Sequence, residues 1–215
     1  MNIKILDLFA GIGGFSLGLE SIGAKTIAFA EIDDDCQKVL QNKWPNVPRY
    51  KDVCDLRGIP LSEFECGGEK RRLKGGEIEP CLQPDWIITE NTGHRWRSWV
   101  PELRRELFKR GYSSLPIRVR ADWLGYSHRR ARVYLVANAN GELLRELSRW
   151  WCGPCREVAE KLAGSRDKTP RRLGANDGLP NWSHRRKQLG NAVMPIFPEL
   201  IGIGIKEVEV AVSGS

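Results

Sequence analysis

No run in the 215 residues approaches the ~18 consecutive apolar positions that a membrane helix needs. The first residues lead into a strand pattern and show no cleavable signal. The expectation is a cytoplasmic protein with no membrane partner, in which the six cysteines are mostly reduced thiols. Only one close cysteine pair occurs, Cys152 and Cys155. Without a second pair at suitable spacing, no metal site is expected. Negative charge is short in the second half. Arginines crowd positions 95 to 186, the first 65 residues lean acidic, and the net charge is +7. A basic half suits a polyanion such as DNA; an ordinary solvated basic surface is the alternative reading. The length allows one sizeable core with a small appendage.

The chain is organised around Asp7-Leu8-Phe9-Ala10-Gly11-Ile12-Gly13-Gly14-Phe15-Ser16. Ile3, Ile5, Leu6 and Leu8 before it predict a buried strand. Phe15, Leu17, Leu19 and Ile22 after it predict a helix that stops at Gly23. Glycines at such a strand-to-helix turn let a ligand approach the backbone, and the free N–H groups of the helix start face that ligand. A second strand, Thr26 to Ala30, ends in Glu31, about 20 positions after the first glycine, where a ribose hydroxyl pair is usually held. Ser16 stands where the dinucleotide fingerprint has its third glycine. That moves the expectation from a pyrophosphate ligand to S-adenosylmethionine; a tight turn in another kind of α/β protein stays open.

Asp33 is placed to cap a helix that ends before Trp44-Pro45. A third strand, Pro48 to Val53, carries Asp52, which suits an adenine amino group or a plain turn. From Arg57 to Gln83 the signal weakens, and Glu65 to Glu79 reads as an exposed loop or a poorly ordered segment. Strand signal returns at Pro84 to Thr89, followed by Glu90-Asn91-Thr92 at the expected carboxyl edge. Pro101, Leu103, Leu107 and Phe108 mark an amphipathic helix ending at Gly111. Ile117 to Ala121 alternates as a half-exposed strand, and Asp122 to Ser127 makes a turn. Arg130 and Arg132 share a face of extended chain before the apolar strand Val133 to Ala137. Such a pair can grip a phosphate or a base edge, or simply belong to a basic edge strand. A helix is expected over Glu142 to Trp150, and Ile196 to Ile205 has helical pattern.

Taken in order, these pieces resemble the DNA cytosine-5 methyltransferase family, most of all its short phage and prophage members. Asp7 to Gly14 matches the family's first motif, Glu31-Ile32-Asp33 the second and Asp52-Val53 the third. Glu90-Asn91-Thr92 is similar to its Glu-Asn-Val. Arg130-Ala131-Arg132 resembles its Arg-x-Arg, and Gln188 to Pro195 its last motif. The resemblance implies an α/β, Rossmann-like S-adenosylmethionine-dependent methyltransferase fold over 1–137 and 188–215, with a small basic target-recognition insertion at 138–187. It implies that Phe9, Gly11, Gly13, Glu31, Ile32, Asp52, Val53, Asn191 and Val193 surround the methyl donor. Glu90 would meet cytosine at N3, and Arg130 and Arg132 would hold the base. The partner implied is double-stranded DNA, in a bacterial or phage-infected cell.

The family's nucleophile, the cysteine of a Pro-Cys-Gln loop, is not found between Asp52 and Glu90. Pro80-Cys81-Leu82-Gln83 mimics it in letters, but no apolar strand precedes it; Cys66 is a second weak candidate. Cys36 and Cys54 read as packed thiols. The sheet is thus expected to miss one central strand. Either the strand at Trp86 pairs with the first strand instead, or the fold loosens. A methyltransferase, active by itself or assisted by a complementing subunit, and a noncatalytic donor- or DNA-binding relative both fit. Trp151-Cys152-Gly153-Pro154-Cys155 spells the thioredoxin redox motif, giving a third class, a thiol redox protein. The helix expected before the motif stands where thioredoxin has a strand.

Overall fold

The computed structural model describes residues 3–52, 84–92, 96–164 and 192–213. The chain divides into two compact units, Met1–Pro84 with Arg172–Glu199, and Asp85–Arg171 with Leu200–Ser215.

The first unit follows the expected β-α-β order. Strand β1 (Lys4–Leu8) leads through the glycine turn to helix α1 (Gly14–Glu20) and strand β2 (Lys25–Ala30). Helix α2 (Asp34–Lys43) and the short strand β3 (Arg49–Tyr50) complete it. The strands are parallel in the order β1-β2-β3. As the middle strand, β2 is the most buried, with Ala28, Phe29 and Ala30 out of solvent. Phe29 packs with Leu40 and Trp44, its ring 5.1 Å from that of Trp44. Asp33 caps α2 as expected: its Oδ1 accepts from the N–H groups of Asp35 and Cys36, both at 3.0 Å. The third strand is shorter than its sequence pattern. Phe29 N–H donates to Pro48 O and Glu31 N–H to Tyr50 O, both at 3.0 Å. There β2 ends, so Lys51 and Asp52 have no ladder to join and lie exposed in a bend.

Helix α1 carries glycines at positions i and i+4, Gly14 and Gly18, on a face covered by residues 193–199. A Cβ on Gly14 would sit 2.3 Å from Val193 O, and one on Gly18 would sit 2.3 Å from Pro195 O. Backbone therefore lies directly against backbone, which no larger residue allows.

The second unit contains strands β4 (Trp86–Thr92), β5 (Ser113–Val119) and β6 (Arg132–Asn138), in the order β4-β6-β5, with β6 antiparallel to both. Helix α3 (Trp96–Lys109) packs Val100 and Leu107 on Val133, Leu135 and Ala137. Helix α4 (Gly141–Cys152) contacts β5 and β6. Helix α5 (Cys155–Gly164) follows it, and helix α6 (Ile196–Ser213) begins within the first unit's residues and continues in the second. On α6, Gly204 leaves room for the Trp150 ring, which a Cβ would meet at 2.6 Å.

Several elements differ from their sequence patterns. Strand β4 includes Glu90, Asn91 and Thr92 instead of stopping before them, because β6 supplies Tyr134, Val133 and Arg132 as partners. Strand β5 begins at Ser113 and stops at Val119. Ala121–Leu124 is a 3-10 helix that ends at Gly125 in the left-handed region. Helix α3 begins before Pro101 and contains it, and α6 runs past Ile205 to Ser213. Strand β4 pairs with β6, and among the described residues the strand partner of β1 is β2. Among the described residues the strand at Trp86 is not paired with β1. No helix among the described residues is long and apolar enough to cross a membrane.

Candidate functional site

Three residues of the glycine turn have positive φ: Phe9 at 57°, Gly11 at 56° and Gly13 at 81°. At Gly13 a side chain is doubly excluded, because a Cβ would meet the Trp44 ring at 2.5 Å. At Gly11 the space is open, and the residue's N–H donates to Glu31 Oε2 at 2.7 Å. The other carboxylate oxygen, Oε1, accepts from Asp33 N–H at 2.8 Å. The turn thus fixes the Glu31 carboxylate at the end of β2 and leaves lone pairs on both oxygens for further donors. Gln37 steadies the same edge, donating through Nε2 to Glu31 O at 2.7 Å and to Tyr50 O at 2.9 Å. On either side two apolar side chains stand in solvent, Phe9 at 77% and Ile32 at 68% exposure. A left-handed, exposed phenylalanine is costly unless something covers it.

Beneath the turn, Asp7 accepts from Ser16 Oγ at 2.7 Å and from Ser16 N–H at 3.3 Å. Ser16, in the place of a third glycine, ties the start of α1 to β1; a fixed role for this pair was not evident from the sequence. Burial raises the Asp7 carboxyl to about 6 against the opposing Ser16 hydrogen bonds. Val193 lies against Gly14, as the last motif would require for reaching this turn. Asp52 lies past β3. Val53 and Asn191 fall outside the described residues.

In the second unit, Glu90 and Arg132 face each other from neighbouring strands. Arg132 Nε lies 2.6 Å from Glu90 Oε1, and both side chains are mostly buried. The two groups form a mostly buried ion pair. Burial raises the Glu90 carboxyl, while Arg132 and Arg130 oppose that rise. Burial lowers the Arg130 guanidinium, with Arg132 adding to it. Tyr134, buried beside Glu90, is pushed up in the same way. The shared face inferred for Arg130 and Arg132 rested on extended chain, which ends here: Arg130 has φ 25°. Arg130 nonetheless acts electrostatically on Glu90, so the three charged groups do gather. Such a set can present a proton-bearing carboxyl to a ring nitrogen while its guanidiniums take oxygen acceptors.

Cys36 is buried in α2, its thiol pushed up to about 12 by burial and by the surrounding acids. Cys54, Cys66 and Cys81 lie outside the described residues. Among the described residues no cluster of ligating side chains could hold a metal.

Residues 3–65 match the family model described as C-5 cytosine-specific DNA methylase. The chain is 30% identical over 166 residues to the type II methyltransferase M2.BsuMI of Bacillus subtilis, covering 63% of this chain and 42% of that protein. It is 40% identical over 70 residues to M.HgiCII of Herpetosiphon aurantiacus, covering 31% of this chain and 16% of that protein. With M.CviJI of Paramecium bursaria Chlorella virus IL3A it shares 26% over 162 residues, 64% of this chain and 43% of that one. The chain therefore spans less than half the length of these curated relatives. Among solved structures, S. pombe Dnmt2 methyltransferase is similar at a TM-score of 0.50 and 16% identity, over 65% of this chain and 51% of that one. Entamoeba histolytica methyltransferase EhMeth is similar at 0.50 and 19%, over 66% and 54%. These two likenesses show a methyltransferase fold. Together with the order of the motifs, the matches support the C-5 cytosine-specific DNA methylase family for this chain.

Proposed function

We propose that the chain binds S-adenosylmethionine at the glycine turn, engages cytosine in double-stranded DNA through Glu90, Arg130 and Arg132, and does not complete methyl transfer alone. The observation that carries the first part is the Glu31 carboxylate pinned by Gly11 N–H at 2.7 Å between two exposed apolar side chains, Phe9 and Ile32. This donor set fits the ligand. A carboxylate with free lone pairs takes a ribose hydroxyl pair, apolar surface takes an adenine ring, and Asp52 takes its amino group. Val193 closes the site from the C-terminal motif; Asn191 and Val53 are assigned to it from their motifs alone. When bound, the donor supplies an electrophilic methyl group.

At the base site, Arg132 holds Glu90 in place, and burial favours the protonated acid that can donate to N3 of a flipped cytosine. Arg130 and Arg132 offer N–H groups to the base carbonyl or the adjoining phosphate. The carboxyl alone does not make C5 nucleophilic; a thiolate adding at C6 does, and no Pro-Cys-Gln loop supplies one. A complementing subunit would have to bring it. The basic segment 138–187 is assigned to target recognition from its sequence. Calorimetric titration with S-adenosylmethionine is expected to show micromolar binding that Glu31→Ala or Asp52→Ala abolishes. Labelled donor with cytosine-containing DNA is expected to give no methylated product. No donor binding by folded protein overturns the first part, and efficient transfer by the chain alone overturns the second.

A further inference from the structure

The pair Cys152 and Cys155 is not used by the reading above. Cys152 is the last residue of α4 and is exposed; Cys155 is the first residue of α5 and is buried. Only Gly153 and Pro154 separate them, and the two helices are in contact. The chain turns sharply here. Gly153 N–H bonds back to Trp150 O at 3.3 Å, and Arg156 N–H bonds back to Gly153 O at 3.4 Å. Positions i and i+3 of a tight turn lie within about 7 Å, the Cα separation a disulfide can span. Both residues are free thiols in the structure. Burial, together with the neighbouring Cys152, pushes the Cys155 thiol up to about 11, so at neutral pH it keeps its proton. One sulfur is thus open to solvent reagents, and the other is held in reserve beside it. A helix, α4, leads into the motif, so this is not a thioredoxin fold; the local dithiol has to be judged on its own geometry.

We propose that Cys152 and Cys155 form a reversible dithiol–disulfide site that exchanges with low-molecular-weight disulfides, Cys152 attacking and Cys155 resolving. The Cys152 thiolate attacks one sulfur of an oxidised small thiol such as glutathione disulfide. That S–S bond breaks, one small thiolate leaves, and Cys152 carries the other half as a mixed disulfide. Cys155 then gives its proton to solvent and attacks the Cys152 sulfur. The second small thiol leaves, and the Cys152–Cys155 bond closes. Two protein thiols are oxidised, and one small disulfide is reduced to two thiols. Resolution is intramolecular, so it outruns a second bimolecular exchange. The site is independent of the methyl-donor reading and stands or falls apart from it.

The test is incubation of the full chain with glutathione disulfide, acid quenching, and peptide mapping by mass spectrometry. The expected product is a Cys152–Cys155 cross-linked peptide that dithiothreitol reverses. Cys155→Ser is expected to trap glutathione on Cys152, at least about tenfold above the wild-type level of that adduct. Cys152→Ser is expected to leave Cys155 as a thiol. Equal, stable adduct on Cys152 in wild type and Cys155→Ser would overturn the proposal. So would oxidation of Cys155 in Cys152→Ser at the wild-type rate. The wild-type map decides by itself if a variant does not fold: no linked peptide means no such site.

Discussion

Gly18→Ala tests the backbone contact on α1 most directly. In a free helix this change would gain about 1 kcal/mol in helix propensity. Here the new Cβ would lie 2.3 Å from Pro195 O, 2.9 Å from Pro198 Cβ and 3.1 Å from Glu199 N. Pro198 is fully buried, so the segment cannot back away. Pro195 O also accepts the Glu199 N–H at 3.0 Å, a bond in the first turn of α6. Overpacking costs about 1–3 kcal/mol, and the rigid neighbours place this site at the upper end. The net expectation is a loss of about 2 kcal/mol once the propensity gain is offset. Gly164→Ala is the control: it lies at the end of α5 with nothing within 4 Å of a new Cβ. It should be neutral or stabilising by up to about 1 kcal/mol. Urea unfolding followed by tryptophan fluorescence and circular dichroism reads both, and with a slope near 2 kcal/mol/M the Gly18→Ala midpoint should fall by about 1 M. A Gly18→Ala protein as stable as wild type, beside a well-behaved Gly164→Ala, would refute the close approach.

Two further outcomes follow from buried carboxylates. The folded-state value for Asp7, about 6, lies above its ordinary 3.8. Folding therefore favours the protonated form, and stability declines as pH rises from about 4 to 6, by on the order of 3 kcal/mol. Asp7→Asn, whose amide oxygen can still accept from Ser16, should flatten that decline in melts recorded from pH 4 to 8; an unchanged slope would rule out Asp7 as its source. Arg132→Met leaves Glu90 buried without its nearest counter-charge, a loss of about 3 kcal/mol where the carboxyl is ionised. The loss should shrink towards acid pH as Glu90 takes up a proton, and Glu90→Gln added to Arg132→Met should restore most of it. Equal losses in melts at pH 5 and pH 8 would contradict the assignment.

The first unit was readable because its signals are local. Glycines at positions needing positive φ, an aspartate cap before α2 and an apolar strand ending in Glu31 each act over a few residues. The contact of Gly14 and Gly18 with residues 193–199 has no local signal, since the sequence separation exceeds any periodicity window. The same holds for β4. Glu90, Asn91 and Thr92 look like a polar loop until β6 offers Tyr134, Val133 and Arg132 opposite them. Arg130 was misread in conformation though not in company, because φ 25° is set by the approach to β6 and not by the residue's own preference. Ala121, which alternation placed at the end of a strand, instead opens a 3-10 helix over Ala121–Leu124 within the expected turn region, and it is wholly buried there.

The glycine face of α1 also sets an order of events during synthesis. Translation delivers about 5–20 residues per second, and the segment that covers Gly14 and Gly18 is specified some 180 positions after them. For much of that interval the turn that would hold a methyl donor exists with one wall missing. A chain cut short before Pro195 would carry every residue of the glycine turn and still leave α1 uncovered.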